Sequence, residues 1–581
     1  MTYTPPLADL RFMLQSVGDL DALARLPGFE AATPELVDAV LAEAGRLAAE
    51  VLAPLNRPGD VQGCRLENGV VRTPDGFADA FAAFAAGGWI GLPVAEEHGG
   101  QGLPWAVANA VGEMWHAANM AFGLNPLLTQ AGIEALARYG TDEQRRLYLA
   151  PLVEGRWTGT MCLTEPQAGS DVGAVRTRAE PDGNAWRLFG QKIYITWGEH
   201  DLAENIVHLV LARTPDARDG TRGLSLFLVP KFLADEDGSL RECNDVRCVS
   251  IEHKLGINAS PTCTLAFGDD GGARGFLVGR EQAGMPQMFT MMNNARIAVG
   301  VEGLAIAERA FQAALAYARE RTQGRGPAGP VPIVAHADVR RSLWTMRAQI
   351  DAMRALVIYA SAQLDRAHAE PEADARAAAQ DRVDLLTPVV KAWCTDLGCE
   401  IASAAIQVHG GMGFIEETGV AQHYRDARIA PIYEGTNGIQ GLDLVGRKLR
   451  QAGGRLPGDL IGELRRDVDA CASAGEADLA RQLGCGLDAL AQATRWLQVR
   501  SAEDPEAVAA GATPYLRLFG TVAGGSLLAR AGLAGRDAPD PTARAKLASA
   551  RFFASQLMPL GTALLPAITA GAEPLAAELL P

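Results

Sequence analysis

The sequence predicts an α+β multidomain protein, with a helical N-terminal domain, a middle β-domain, a helical C-terminal domain and a further helical extension. Three observations carry this reading. The hydrophobic period is helical up to about residue 155, breaks into short strand-like segments near Trp157, and turns helical again from Gly284. Helices, then strands, then helices segregate into domains, whereas a Rossmann-type sheet needs the two to alternate. At 581 residues the chain exceeds one core and suggests about three or four units.

In the first domain, 1–155, "TPELVDAVLAEAGRLAAEVL" and "TDEQRRLYLAPLVEG" carry apolar residues at three- and four-residue steps. Thr33 and Thr141 stand where N-caps are expected, and Pro34 suits a first helical position. The second domain, 156–278, is written in "WTGTMCLTE", "AWRLFGQKIYIT", "NIVHLVLART", "GLSLFLVP" and "CTLAFGD", separated by Gly, Asp and Pro clusters. From 279 to 450 long helical stretches return, among them "ARIAVGVEGLAIAERAFQAALAYARER" and "LLTPVVKAWCTDLGCEIASAAIQVHGG". A Gly-rich joint, "RQAGGRLPGD", leads into the Ala- and Leu-rich extension, 451–581.

Composition excludes several function classes. Apolar residues make up 48% and charged residues 21%, as in a soluble globular protein. The formal net charge of −16 repels phosphate backbones and anionic lipid, so nucleic acid is not an expected partner. "MTYTPPLADLRFML" lacks a basic segment followed by an apolar one, so no secretory signal is expected and the expected location is cytoplasmic. No apolar run reaches the roughly 18–20 residues that span a bilayer. "LMPLGTALLPAITAGAEPLAAELLP" comes nearest, but Pro and Gly break it, and it reads as an apolar helical pair packed on protein. The nine cysteines form no CxxC pair and read as reduced core residues; the nine histidines show no metal-ligand spacing, so no metal is expected. "GRGPAG" (324–329) satisfies GxGxxG, yet it follows a helix and contains Pro327, so it does not read as a dinucleotide loop.

Three stretches carry possible chemistry. "MCLTEPQAGSD" (161–171) ends a strand and turns through Pro166 and Gly169, exposing backbone amides and the hydroxyls of Thr164 and Ser170; alone it reads as a β-turn. In "KIYIT" (192–196) the two-residue strand period puts Tyr194 and Thr196 on one face. An aromatic face beside a hydroxyl can hold a flat heteroaromatic ring and bond its edge, although the pattern also suits an ordinary half-buried strand. In "IAPIYEGTNGIQGL" (429–442) a single carboxylate, Glu434, interrupts helical code; alone it reads as a solvated loop residue.

Five stretches, "MCLTEPQAGSD", "KIYIT", "YARERTQ", "QVHGG" and "YEGTNGIQ", fall in the order and spacing of the acyl-CoA dehydrogenase family, which the sequence resembles over residues 30–450. Each is weak alone; the ordered set is specific. Within the family the chain resembles the longer bacterial members with an extra C-terminal helical region, a branch that includes 3-methylmercaptopropionyl-CoA dehydrogenases. "EHDLAENIVHLVLAR" and "SIEHKLGINASPTC" are similar to their elaborated β-domain.

The resemblance implies a four-helix C-terminal domain, FAD as cofactor, an electron-transfer flavoprotein as acceptor, and dehydrogenation of an acyl-CoA thioester to a trans-2-enoyl-CoA. Glu434 matches the catalytic base that takes the α-proton as a hydride leaves the β-carbon for flavin N5. Desolvation raises a glutamate's pKa toward the working pH, and a flanking glycine lets backbone approach the thioester carbonyl. The Glu434 N–H and a flavin ribityl hydroxyl would polarise that carbonyl. By the same resemblance Met161, Cys162, Leu163 and Thr164 line the flavin, Tyr194 and Ile195 lie against it with Tyr194 where tryptophan is usual, and Thr196 bonds its N5 edge. Ser170, Arg296 and Gly435 contact substrate, while Thr436 and Asn437 face the FAD. Arg321 and Gln323 match an element that reaches a neighbouring subunit's FAD. Gln407, Val408, His409, Gly410 and Gly411 match a loop that approaches the same FAD, which implies a homodimer.

Some positions depart from the pattern: Asn293 replaces a frequent Asp, and Gly324 a frequent bulky residue. Trp197 replaces a small one, as a ring beside the flavin edge or as a core aromatic. Three alternatives stay open: an acyl-CoA oxidase that returns electrons to oxygen, a nitroalkane-oxidising relative, disfavoured because it uses aspartate as base, and a DNA-associated flavoprotein with a C-terminal extension. Against the last, 451–581 mixes Arg with Asp and Glu throughout, as a solvated helical surface does. The substrate stays open between 3-methylmercaptopropionyl-CoA and a fatty acyl-CoA.

Overall fold

The structure is a computed structural model that describes residues 3–576. It divides into two compact units: one gathers the chain up to Gly45, Pro104–Ala117 and the chain from Arg296 onward, the other Arg46–Leu103 and Ala118–Ala295. The helices of the first 155 residues are therefore shared between the units rather than forming one body.

In the second unit a small hairpin, β1 (Arg65–Glu67) and β2 (Val70–Arg72), precedes the main sheet. The main sheet is built from β3 (Trp157–Cys162), β4 (Arg178–Asp182), β5 (Ala185–Thr196), β6 (Asn205–Arg213) and β7 (Leu224–Pro230). A short hairpin, β8 (Phe232–Ala234) with β9 (Leu240–Cys243), interrupts it before β10 (Val246–Ile251), β11 (Thr262–Phe267) and β12 (Ala273–Val278) complete it. The strand order is β10-β11-β5-β12-β7-β6-β3, with β4 beside β5 and β6, and the pairing is antiparallel except where β6 meets β3 and one residue of β4. That topology excludes a Rossmann sheet. Strands β6 and β7 are buried on both faces, so they read as unbroken apolar runs rather than alternating ones. The core of this unit gathers Cys162, Leu188, Ile195, Val210, Phe227, Cys263 and Phe267. Thr141 closes a capping box with Gln144, as its position suggested.

The helical unit contains α1 (Leu7–Ser16), α2 (Trp105–Ala118), α3 (Gly284–Glu320, inside this unit from Arg296), α4 (Ala337–Ala369) and α5 (Ala373–His409). The expected fourth helix is split into a short helix, Val420–Ala427, and α6 (Asn437–Gly446), parted by the turn that carries Glu434. In the extension, α7 (Ala512–Ala534) and α8 (Pro541–Phe552) lie against this bundle. Asp365 of α4 accepts from the backbone N–H groups of Trp105 and Ala106, at 2.6 and 2.9 Å, and so satisfies the start of α2. Lys546 of α8 bonds both Asp9 of α1 and Asp351 of α4. These long-range ties are why the first helices join the last ones.

The "GRGPAG" stretch is not a dinucleotide loop, as expected: it lies in a hairpin, β13 (Thr322–Gly326) with β14 (Gly329–Pro332). The cysteine expectation is corrected in part. Cys243 and Cys485 are exposed, whereas Cys162, Cys248, Cys263, Cys394 and Cys471 are the buried thiols expected. The apolar C-terminal stretch forms the expected helical pair, Met558–Thr562 and Leu565–Ile568, each with a proline in its first turn and packed on α7, followed by a 3₁₀ turn, Glu573–Leu575; its last residues, 577–581, lie outside the described residues. Among the described residues no helix is long and apolar enough to cross a membrane.

Candidate active site

The turn that carries Glu434 is built by close helix packing. A Cβ added at Gly303 of α3 would lie 2.5 Å from the Cys394 carbonyl oxygen of α5, and one at Gly398 would lie 2.7 Å from the Gly303 oxygen. Only glycine lets the two backbones approach this closely, and the approach brings Glu302 and Lys391 to the same turn. Glu434 adopts φ 54° and Gly435 φ 84°, a left-handed pair that reverses the chain before α6. For a non-glycine residue that conformation costs about 1–3 kcal/mol and persists only where the surroundings hold it. Thr436 caps α6 by accepting from the Ile439 N–H at 3.3 Å.

The carbonyl of Glu434 accepts from Arg296 Nε at 3.2 Å and from Gln440 Nε2 at 3.4 Å. Arg296 is buried, so the substrate-contacting residue implied by the resemblance stands directly at the turn. Burial pushes the Glu434 carboxyl above its usual range, against the opposing pull of Arg296 and Lys391. Lys391 is wholly buried, and its Nζ donates to the Gly435 carbonyl at 2.9 Å and to Asn437 Oδ1 at 2.8 Å. Burial pushes Lys391 down to about 7, although Glu434, Asp396 and Glu302 favour its charge. Glu302 is wholly buried too and accepts from the Tyr433 hydroxyl. Burial pushes it up to about 8. Asn437 spends its amide on α5, donating to the Ala392 carbonyl and Asp396, so its side chain is engaged by the fold.

In the β-unit, Met161 and Cys162 end β3 as buried residues, and Leu163 and Thr164 follow as half-buried ones. The Thr164 carbonyl accepts from the Ile193 N–H at 2.9 Å, which fastens this segment to the strand carrying Tyr194. A buried pair locks the same turn: Lys192 Nζ donates to the Leu163 carbonyl at 2.9 Å and to Glu165 Oε1 at 2.8 Å. Burial alone would push Glu165 up, but Lys192 and the donors on Thr177 and Arg176 outweigh it and hold the carboxyl at about 2. Ser170 is exposed on the loop beyond.

The expected simple alternation through "KIYIT" fails at one point. Tyr194 takes φ 58°, and the register with β11 slips between Cys263 and Leu265. Lys192 and Ile195, three residues apart, therefore both point inward, and Tyr194 is turned out with 61% of its surface exposed. Thr196 is half-buried two residues on. Trp197 resolves as a core aromatic: it is 1% exposed and its Nε1 donates to the Ala121 carbonyl at 3.2 Å.

At the far end of the helical unit, Tyr317 of α3 stacks on His409 of α5 with ring centroids 4.3 Å apart. This joins the end of α3, where Arg321 and Gln323 are exposed, to the end of α5, where Gln407, Gly410 and Gly411 are exposed, Val408 is half-buried and His409 is buried. Met412, Phe414 and Ile415 follow with 52, 87 and 46% exposure.

Sequence reasoning missed Lys391, Glu302 and the Lys192–Glu165 pair. Their signal was a charge embedded in an apolar run, as in "VVKAW" and "VGVEGL".

Four family models match consecutive parts of the chain: acyl-CoA dehydrogenase N-terminal domain at 37–156, middle domain at 160–269, C-terminal domain at 282–449, and an acetyl-CoA dehydrogenase C-terminal-like domain at 460–578. The chain is 47% identical to a 3-methylmercaptopropionyl-CoA dehydrogenase of Ruegeria pomeroyi over 573 residues, which covers 96% of each chain. Among solved structures it resembles ACDH-11 of Caenorhabditis elegans, crystallised with C11-CoA, at TM-score 0.79 and 22% identity over 96% of this chain and 92% of that one. It also resembles an acyl-CoA dehydrogenase of Bacillus anthracis complexed with FAD, at TM-score 0.71 and 20% identity over 98 and 89%.

Proposed function

The chain belongs to the acyl-CoA dehydrogenase family, and from that premise we propose that Glu434 is the general base that removes the α-proton of an acyl-CoA thioester. The observation that carries the assignment is the state of Glu434 itself. Its carboxyl is raised by burial, and its backbone is held in a conformation that an unconstrained glutamate avoids. A base poised nearer the working pH accepts a proton most effectively.

The residues of the β-unit fit FAD. An exposed aromatic face at Tyr194, the Thr196 hydroxyl and a strand end fastened by Lys192 make a firm support for a flat ring system. FAD, when bound, supplies the acceptor for the β-hydride. Met161 to Thr164, Tyr194, Ile195 and Thr196 would hold its ring, and Thr436 with Asn437 would border it. Arg321, Gln323 and the Gln407–Gly411 loop would reach the FAD of a second copy of the chain. The exposure of Arg321, Gln323, Gln407, Gly410 and Gly411 beside Phe414 supports a homodimer. Ser170, Arg296 and Gly435 would contact substrate. The acyl group we propose is 3-methylmercaptopropionyl, on the strength of the near full-length identity to the Ruegeria enzyme, with an electron-transfer flavoprotein as acceptor and the cytoplasm as location.

Glu434→Gln tests the base. Gln keeps shape and hydrogen bonding but takes no proton, so anaerobic flavin reduction is expected to fall by about 10²- to 10⁴-fold. Binding of FAD and acyl-CoA should change little. Near-wild-type reduction would place the base elsewhere. A panel of thioesters that includes 3-methylmercaptopropionyl-CoA and butyryl-CoA tests the substrate: a higher kcat/KM for butyryl-CoA would overturn the thioether assignment.

A further inference from the structure

Glu434 is restrained from both sides by side chains that never reach solvent. On its N-terminal side the Tyr433 hydroxyl is held by Glu302 of α3, which is wholly buried. On its C-terminal side Lys391 of α5 holds the Gly435 carbonyl and the Asn437 amide oxygen. Among the described residues the hydrogen-bond acceptors of the Lys391 ammonium are neutral, and the carboxyls that favour its charge, Glu434, Asp396 and Glu302, act on it without a hydrogen bond. A buried ammonium is costly unless it is paired with an opposite charge, so its retention here calls for a reason beyond packing. Likewise Glu302 leaves Oε1 with no hydrogen-bond partner among the described residues, a second unfavourable group kept beside the same turn.

Around the Glu434 turn, Arg296 and Glu302 project from α3, Lys391 from α5 with Asp396 acting on it, and Tyr433 from the turn itself, while Asp443 of α6 and Arg447 just beyond it act on Arg296. Resting on the reading of Glu434 as base, we propose that Lys391 and Glu302 are positioning residues. They clamp the residues on either side of Glu434 so that its carboxylate is presented in one orientation, and the Lys391 charge sets the pH at which that carboxylate takes up a proton. The clamp needs the tight crossing of α3 and α5 at Gly303 and Gly398, which brings the two side chains within reach of one turn.

The sign of the electrostatic part follows directly. An ammonium favours the ionised carboxylate, so removing it raises the Glu434 pKa and moves the rising limb of the flavin-reduction pH profile to higher pH. The test uses the FAD-loaded enzyme and whichever of 3-methylmercaptopropionyl-CoA and butyryl-CoA the wild type is reduced by faster. In Lys391→Met, flavin reduction at saturating substrate is expected to slow about 10- to 100-fold, the effect of a small displacement of a reacting group. The limb should rise by about one pH unit, with substrate affinity changed less than about threefold. Glu302→Leu is expected to slow reduction about tenfold or more, and Glu302→Gln, which still accepts the Tyr433 hydroxyl, to recover most of that loss. A crystal structure of Lys391→Met should show Glu434 relaxed out of the left-handed region.

An unshifted limb at an unchanged rate in Lys391→Met overturns the proposal, as does a Glu302→Gln enzyme as slow as Glu302→Leu. Flavin content and thermal unfolding identify a variant that fails to fold; if Lys391→Met does so, the Glu302 pair decides. Failure of the base reading is separate. It would appear as rapid flavin reduction in Glu434→Gln, whereas an inert Glu434→Gln beside an unmoved Lys391→Met profile sinks only the positioning role.

Discussion

Lys192 and Lys391 are both wholly buried, yet different chemistry holds each. Lys391 meets neutral acceptors, whereas Lys192 meets the Glu165 carboxylate at 2.8 Å and a carbonyl at 2.9 Å, so its charge is compensated. Breaking such a pair from one side leaves a buried unpaired charge, which typically costs about 3–5 kcal/mol. Lys192→Met is therefore expected to destabilise the protein by that order at neutral pH, read from chemical denaturation. Because Glu165 is held at about 2, below its unfolded value, its contribution is present above the ordinary carboxylate range and is lost as pH falls toward the folded value. The gap between wild type and Lys192→Met should accordingly narrow as the pH drops through that window. A gap that stays constant with pH would mean that Lys192 acts through packing alone.

The elements show which parts of this chain are legible in its sequence. In the main sheet and the long helices strand and helix identity followed the apolar period, whereas the hairpins β1–β2 and β13–β14 inside the helical regions were not signalled; the caps at Thr33 and Thr141 followed local chemistry, since each is set by neighbours within a turn. The bulge at Tyr194 was not legible, because "KIYIT" alternates without a break and the slip depends on the partner strand at Cys263–Leu265. Glu434 was singled out by its motif, but the groups that restrain its turn come from helices more than 40 residues away, Lys391 with |i−j| = 44 to Gly435 and Glu302 with |i−j| = 131 to Tyr433. No local pattern encodes those distances. The extension shows the same dependence on tertiary packing. Trp393 of α5 lies against Gly520 and Gly524 of α7, where an added Cβ would stand 2.3 and 2.6 Å from the indole. Since Trp393 follows Lys391 by two residues, this joint steadies the segment that holds the Glu434 turn. Trp393→Ala is expected to cost about 3–5 kcal/mol as a cavity, and Gly524→Val about 1–3 kcal/mol as overpacking. Denaturation midpoints that leave both variants at wild-type stability would show the joint to be loose.

At the scale of the whole molecule, a chain of net charge −16 resists nonspecific association, yet it presents a cluster of exposed apolar side chains at Met412, Phe414 and Ile415. These follow directly on the Gln407–Gly411 loop and lie near the end of α3, where Tyr317 stacks on His409. A second copy of the chain would bury them, and would bring Arg321 and the loop to the partner's FAD. Purified protein is therefore expected to scatter light as a dimer or larger, with about one FAD per chain. Phe414→Asp places a charge where the apolar contact would form, and burying an unpaired charge is prohibitive, so this variant should shift toward monomer and lose FAD together. Arg321→Ala separates the two effects: on the proposed role of Arg321 toward the partner's FAD, it should weaken FAD retention while the dimer persists, since it leaves the apolar cluster intact. A Phe414→Asp protein that stays dimeric with full flavin would show that the interface lies on another face. A wild-type monomer that keeps its FAD would remove the need for a partner altogether.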